Sequence, residues 1–191
     1  LISLVAACFM PAVAHADAPS ITNDRTKATY TDIATAAAEA QSGDTILLGK
    51  GNYTLYKVSS EGHTKGKDLT FVGLGADETA WNIGALVPDP ANFGTEYNGD
   101  YSFDGTVTFK NMTMRSGSAD YLGFIRVNKT VLDDCVVNGK TFYWGYESAE
   151  FTNTTFNAPE GDYSLWAYSS PIMTFNGCTF NCTGKAINVY T

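Results

Sequence analysis

Between Thr106 and Thr191 the sequence repeats itself about every 22 residues. Four similar hexapeptides form the first track of this repeat, and their first residues lie 23, 19 and 24 positions apart: Phe109–Met114, Leu132–Val137, Phe151–Phe156 and Phe175–Phe180. Self-similarity at a fixed period is typical of solenoids, in which each unit buries its apolar face only against its neighbours. The repeat therefore predicts an all-β chain folded as a parallel β-helix, with about 22 residues in each coil.

Strand alternation assigns the first track to two faces of each coil. Three apolar columns are predicted to face the core: Phe109/Leu132/Phe151/Phe175, Met112/Cys135/Thr154/Cys178 and Met114/Val137/Phe156/Phe180. A β-branched column is predicted to point outward: Thr113, Val136, Thr155 and Thr179. The column after it consists of Arg115, Asn138, Asn157 and Asn181. We expect its asparagines to lie at a turn, to adopt the left-handed backbone conformation and to hydrogen-bond one another across coils.

A second track keeps a constant interval of 22 residues: Phe124, Tyr146, Tyr168 and Tyr190. These residues share one face with the column Leu122/Trp144/Trp166/Asn188. The opposite face carries the columns Tyr121/Tyr143/Leu165/Ile187 and Gly123/Gly145/Ala167/Val189. Both faces are apolar, yet only one of them can face the interior. Three arrangements follow: the large aromatic side chains stack inside, they lie outside under a covering segment, or they form an exposed platform for sugar rings.

Composition and charge limit the classes of partner. The chain has 191 residues, a net charge of −8 and no run of Lys or Arg. Its length suits one domain, and its hydrophobic content of 44% excludes disorder. Nucleic acids are not expected as partners because phosphate binding requires clustered basic residues. We expect a monomer.

The N-terminal segment predicts export. Leu1–Ala14 is apolar and uncharged, and Ala14-His15-Ala16 supplies a small-x-small cleavage site, so residues 1–16 are interpreted as an incomplete signal peptide. A lipobox at Val5–Cys8 is the alternative. We expect the mature chain to be secreted or held at the cell surface, without a transmembrane segment.

The remaining sequence divides into four parts. Residues 17–29 are interpreted as a loose leader, and residues 30–75 as a cap helix and the first coil strands. The helix is predicted over Thr31–Ala40, where it would cover the open apolar end of the solenoid. Residues 76–105 are predicted to leave the coil as an aromatic-rich excursion, and residues 106–191 to form coils that continue beyond the chain.

One family resemblance arises from the order of these elements. The helix is followed by GDTILLGKGNYTL (Gly43–Leu55), by LTFVGLG (Leu69–Gly75) and by coils with Asn-x-Thr-Phe-like turns. Over about residues 28–191 this order resembles the pectin-lyase-like superfamily, and more narrowly the secreted or surface β-helix proteins of gut-type bacteria. The resemblance implies a right-handed β-helix and leaves the activity open.

Catalytic candidates are few. Asp133-Asp134-Cys135 resembles an element of the polygalacturonases, but the third acid of that family has no counterpart in the turn at Asn111. Asp133 and Asp134 align with ordinary turn residues in the other coils, and general acid catalysis requires a paired carboxylate.

The sequence gives equally little support for lyase chemistry, a calcium site or a histidine-based site. Arg126 is the strand residue available for a lyase-like base. Asp104 and Asp120, together with the Asp133–Asp134 pair, are the acids available for Ca²⁺, and no spacing distinguishes them. We therefore expect no cofactor. His15 leaves with the signal peptide and His63 lies in a Gly/Lys-rich loop, so neither supports a histidine site.

The cysteines are predicted to be unpaired. Cys135 and Cys178 share a column two coils apart, which places them about 10 Å from each other, whereas a disulfide requires less than about 7 Å between Cα atoms. A bridge between Cys178 and Cys182 is the alternative. We interpret the cysteines as small buried apolar residues.

These observations favour an exported bacterial β-helix that acts as a carbohydrate-binding, adhesion or structural module, with polysaccharide or host glycan as the partner. The predicted ligand-binding residues are Trp144, Tyr146, Trp166, Tyr168 and Tyr190. The alternative is a polysaccharide lyase or glycoside hydrolase with Asp133 and Asp134 as catalytic candidates and further acids beyond the chain.

Overall fold

The computed structural model describes residues 19–54, 67–83, 101–116, 123–142, 144, 147–159, 163–168 and 172–190. One short helix is present in this part of the chain, α1 (Ile33–Glu39). The strands up to the middle of the chain are β1 (Ile21–Asn23), β2 (Thr29–Tyr30), β3 (Thr45–Leu48), β4 (Gly51–Thr54), β5 (Leu69–Val72), β6 (Thr79–Ile83), β7 (Tyr101–Lys110), β8 (Thr113–Ser116) and β9 (Gly123–Asp133). The later strands are β10 (Val136–Asn138), β11 (Thr141–Phe142), β12 (Ser148–Thr152), β13 (Thr155–Ala158), β14 (Tyr163–Tyr168), β15 (Ile172–Asn176), β16 (Thr179–Cys182) and β17 (Lys185–Tyr190).

The strands form two sheets in which successive coils lie side by side. The larger sheet runs β17-β14-β11-β9-β7-β5-β3-β1-β2, with β12 paired to β9 and β15 paired to β12. The smaller sheet runs β16-β13-β10-β8-β6-β4. Apart from the antiparallel pairs of β1 with β2 and β3, the described strand pairs are parallel. This mostly-β architecture is consistent with the β-solenoid that the repeat predicts.

The first track of the repeat has the predicted register. Val136 lies between Thr113 and Thr155, and Thr155 pairs with Thr179, so the outward column has the predicted register. Thr113 departs from the prediction because it is buried, with its Oγ1 donating to the Ala76 carbonyl. The inward columns are also in register, because Leu132 lies between Phe109 and Phe151, and Val137 lies between Met114 and Phe156.

Aromatic side chains stack along the interior from one coil to the next. Ring centroids lie 5.0 Å apart for Phe151 and Phe175 and 4.8 Å apart for Phe156 and Phe180, with nearly parallel planes in both pairs. Full burial of one such side chain contributes about 1.5–3 kcal/mol. The parallel register thus places equivalent apolar residues in direct contact, so each coil stabilises the next.

The turn between the two sheets uses the left-handed backbone conformation at the same place in four coils. The residues are Asn111, Asp134, Asn153 and Gly177, with φ between 47° and 65°. Asn, Asp and Gly tolerate this region best. The predicted left-handed column at Asn138, Asn157 and Asn181 is therefore wrong in position, because those residues lie in strands β10, β13 and β16.

Two predicted segment boundaries need correction. The leader contains β1 and β2, which pair with each other and, through β1, with β3, so residues 21–23 and 29–30 belong to the sheet. Residues 79–83 and 101–105 of the predicted excursion are also strand, with Trp81 fully buried against Phe71 and Phe109. Burial of Trp81 holds β6 in the sheet, so the chain has not left the coil at residues 79–83. Residues 84–100 lie outside the described part of the chain.

The cap helix forms as predicted and covers the interior at the N-terminal end. The Oδ1 atom of Asp32 accepts a hydrogen bond from the Thr35 backbone N–H at 2.8 Å, which caps the helix. Ile33, Ala36 and Ala37 of α1 belong to the buried core. At the C-terminal end of α1, Lys67 Nζ donates hydrogen bonds to the carbonyl oxygens of Ala37 and Ala38.

One buried hydroxyl group predicts a stabilising substitution. Thr130 is fully buried, faces the core between Val107 and Ala149, and its Oγ1 has no hydrogen-bond partner within the described structure. Replacing Thr130 with valine is expected to raise the free energy of unfolding by about 1 kcal/mol, because it removes an unsatisfied polar group without opening a cavity. Urea denaturation monitored by circular dichroism measures this change.

The matched control is Thr154, which is equally buried but donates from Oγ1 to the Thr152 carbonyl at 3.0 Å. Thr154→Val is expected to destabilise the protein by about 0.5–1 kcal/mol, because it removes that hydrogen bond. Equal effects of the two substitutions would contradict the assignment of Thr130 as the unsatisfied position.

Candidate functional site

The outer face of β14 carries the aromatic residue Trp166. Leu165 and Ala167 belong to the core, so alternation places Trp166, which lies between them, on the opposite face of the strand. Trp166 is half-buried and pairs in register with Asn188 of β17. Tyr168 pairs with Tyr190 two positions further along the same strands. The side chains of Tyr168 and Tyr190, and all of Tyr146, lie outside the described part of the structure.

A second aromatic ring contacts Trp166 in an edge-on arrangement. The ring centroid of Trp166 lies 5.6 Å from that of Tyr163, with 69° between the planes. Tyr163 is buried, and Lys140 Nζ lies 5.6 Å from its ring centroid in a cation–π arrangement. These contacts restrict the orientation of the indole, and a fixed aromatic face is what stacking on a sugar ring requires.

Trp144 does not belong to this surface. It is fully buried, its Nε1 donates to Thr141 Oγ1 at 2.7 Å, and its ring meets the edge of Phe151 at 5.5 Å. The interior arrangement therefore holds for Trp144, and its predicted role as a ligand-binding residue is wrong.

The predicted 22-residue interval of the second track fails because coil lengths vary. Phe124 pairs with Phe142, and Phe142 pairs with Trp166, which are steps of 18 and 24 residues. The interval of 22 holds only for the last step, from Trp166 to Asn188. Phe142 thus takes the position that the sequence assigned to Trp144, and no sequence signal distinguished the two.

Asp133 and Asp134 are not arranged as a catalytic pair. Asp133 points outward from β9 and forms an ion pair with Lys110 of the neighbouring strand, with Nζ 2.9 Å from Oδ2. Asp134 adopts the left-handed turn conformation, with φ at 52°. The two residues therefore serve the sheet and its turn, as their alignment with turn residues predicts.

The remaining predicted site residues form no cluster that the structure describes. Arg126 pairs through its backbone with Ser102, and Asp104 lies in β7, but their side chains are outside the described set, as are Asp120 and His63. Within the described residues, no group of three or more His, Cys, Asp or Glu side chains could hold a metal ion.

The three described cysteines are unpaired. Cys135 is buried, and burial raises the pKa of its thiol to about 12, so it stays protonated. Cys178 is half-buried rather than buried and lies in register two coils away. The alternative bridge between Cys178 and Cys182 is not formed.

The outer face of the smaller sheet carries a row of asparagines one coil apart. Asn157 Nδ2 donates to Asn138 Oδ1 at 3.0 Å, and Asn181 Nδ2 donates to Asn157 Oδ1 at 2.8 Å. The predicted hydrogen bonding between coils is thereby confirmed. Arg115 continues the row at the N-terminal side, where its Nη1 donates to Asn52 Oδ1 at 3.3 Å.

Comparison with known proteins gives no further guide, because no family model, curated protein or solved structure matches this chain. Within its described residues, the chain has no helix with the length and apolar character needed to cross a membrane.

Proposed function

We propose that this chain is an exported bacterial surface protein of the right-handed, pectin-lyase-like β-helix type that binds carbohydrate on the outer face of β14 and β17. The observation that carries the proposal is the position of Trp166: half-buried, opposite the core positions of its strand and held against Tyr163. Tyr168 and Tyr190 occupy paired positions next to it, so three aromatic residues lie on two adjacent coils.

Several sequence features support the finer parts of the proposal. The apolar segment before Asp17 and its small-x-small site favour export, and an acidic chain without basic clusters favours an uncharged partner over nucleic acid. The parallel pairing of strands one coil apart supports the solenoid fold that the family resemblance implies.

A polysaccharide lyase or hydrolase is the alternative function, and it has less support. Its candidate acids are Asp133, which is paired with Lys110, and Asp134, which is in a turn.

Native gels that contain plant or host polysaccharides test the binding proposal. Trp166→Ala is expected to abolish the retardation of the protein by its ligand, or to weaken it about tenfold or more, because the variant loses the aromatic face. For comparison, stacking of a nucleic-acid base on one aromatic side chain contributes about 1–3 kcal/mol. Circular dichroism checks that the variant is folded.

The matched control is Ile172→Ala. It removes an apolar side chain that is 73% exposed and lies on β15, on a different face of the coil from β14 and β17. Retardation that is equal in wild type and Trp166→Ala, or absent on every gel, would count against the proposal.

A further inference from the structure

The asparagine track, defined as Asn138, Asn157 and Asn181, has unused hydrogen-bonding capacity directed at solvent. Asn138 and Asn181 are exposed and Asn157 is half-buried. Each amide has two N–H groups and an oxygen with two lone pairs, whereas the contacts between coils use at most one N–H and one lone pair of each residue. Every coil therefore presents both a donor and an acceptor at the same height on the surface.

The spacing of this track is fixed by the sheet. Asn138, Asn157 and Asn181 are paired in register, so their amides repeat at the strand separation of about 4.8 Å. The hydrogen bonds between the amides hold the three side chains in one line. A ligand that satisfies all three amides must repeat a hydrogen-bonding group, such as a hydroxyl, at nearly the same interval along a straight line.

We propose that the asparagine track binds an extended, uncharged glycan of the cellulose type, which lies along the stacking direction with about one sugar per coil. In a glycan with equatorial linkages the chain is nearly straight and each sugar advances by a distance close to the strand separation. Successive sugars are turned over, but each edge of the chain still presents a hydroxyl group of every sugar, so hydroxyl groups recur at nearly the interval of the amides. A starch-type glycan coils, and its hydroxyl groups leave the line after one or two sugars. This inference rests on the proposed carbohydrate-binding function and adds the shape and charge of the ligand.

Charge favours a neutral ligand. The track itself has no charged side chain, and Arg115 lies only at its N-terminal end. The protein as a whole carries a net charge of −8, which repels a polyanion.

The neighbourhood of the track links it to Trp166. Strand β16, which carries Asn181, is separated from β17 by only Thr183 and Gly184, and Thr183 Oγ1 donates to the Pro159 carbonyl at the equivalent corner one coil earlier. Asn188 of β17 pairs with Trp166. The strands that carry the track and the aromatic face therefore follow one another around one corner of the coil.

Gel electrophoresis with three polymers tests the inference: hydroxyethylcellulose, carboxymethylcellulose and soluble starch. Wild type is expected to be retarded most by hydroxyethylcellulose, less by its charged analogue and not by starch. The double variant Asn138→Ala/Asn181→Ala is expected to bind hydroxyethylcellulose about fivefold or more weakly, because it loses the hydrogen bonds of two of the three amides. Asn181→Ala alone keeps the Asn157–Asn138 bond and serves if the double variant does not fold.

The control is Asn176→Ala, an exposed asparagine on the other sheet, which is expected to bind like wild type. If the track variants keep their affinity and Trp166→Ala loses it, the asparagine track does not bind the glycan, and the proposed function stands. Equal retardation by starch would overturn the straight-chain ligand. Absence of retardation by these polymers and by the whole polysaccharide panel would overturn the proposed function itself.

Discussion

Replacing Trp144 with alanine is expected to lower the free energy of unfolding by about 3–5 kcal/mol, the range typical of a deleted core tryptophan. The indole is fully buried and packs edge-on against Phe151, which itself stacks on Phe175 of the next coil. The substitution also removes the donor to Thr141 Oγ1, a hydroxyl group that is buried as well. A solenoid transmits such a loss to both neighbouring coils, because each coil is stabilised by its contacts with the next. Urea denaturation followed by circular dichroism measures the change.

Trp144→Phe is the matched variant, because it retains a ring against Phe151 and loses only volume and the hydrogen bond. We expect Trp144→Phe to lower the free energy of unfolding by clearly less than Trp144→Ala. An unchanged unfolding midpoint in Trp144→Ala would mean that the residue lies outside the core. The result also matters for function: a variant that combines Trp144→Ala with Trp166→Ala would lose binding by unfolding, so Trp166 has to be tested alone.

The parts of the fold that could be predicted from sequence are those in which strand alternation and coil period agree. In the first track, core-facing positions alternate with outward positions that are mostly polar (Lys, Asp, Thr or Asn), and a shift by one residue would expose the phenylalanines. The columns through Phe109, Val137 and Thr155 were therefore determined by the sequence and agree with the pairing.

The second track could not be predicted in the same way because aromatic residues occupy both its strands and its corners. Trp144 follows the short strand β11 by two residues, yet it is as deeply buried as any strand residue. A corner that turns inward can bury an indole provided that its N–H finds a partner, here Thr141. Strand alternation alone places Trp144 in the strand, in the column of Trp166. For this reason the sequence did not identify Phe142 as the residue that pairs with Trp166.

The N-terminal hairpin could not be predicted because the interactions that hold it link residues far apart in sequence and belong to no repeat. The Nδ2 atom of Asn23 donates to Asp44 Oδ2 at 2.7 Å, across 21 residues. From the sequence alone, the polar residues of the leader predict a loop. Its strand structure depends on the buried carboxylate of Asp44, which lies outside the leader.

Replacing Asp44 with asparagine is expected to lower the free energy of unfolding by about 2–3 kcal/mol at neutral pH, the range for buried hydrogen bonds to a charged group. The carboxylate is only 4% exposed and accepts hydrogen bonds from Nε and Nη2 of Arg25 at 2.6 and 2.9 Å. It also accepts hydrogen bonds from Asn23 and from the Gln41 backbone N–H. Asparagine has one carbonyl oxygen in place of two charged ones, so at least one of these donors loses its acceptor. Urea denaturation at pH 7 measures the loss.

The effect of Asp44→Asn depends on pH. Hydrogen bonds from Arg25, followed by those from Asn23 and Gln41, hold the pKa of the folded Asp44 carboxyl well below the value of about 3.9 expected in the unfolded chain, although burial opposes the shift. A lowered folded pKa stabilises the protein above the unfolded pKa, and that stabilisation is lost as the pH falls toward the folded pKa. The stability difference between wild type and Asp44→Asn is therefore expected to be constant from pH 7 to about pH 5 and to shrink below about pH 4.

Asp24→Asn is the control, because Asp24 forms an exposed ion pair with Lys27 in the loop of the same hairpin, and such pairs contribute less than about 1 kcal/mol. A difference that persists unchanged at low pH would show that Asp44 acts through its shape alone. A difference that shrinks as described would establish that the ionised carboxylate fixes the N-terminal hairpin, and with it the edge of β3, onto the first coil.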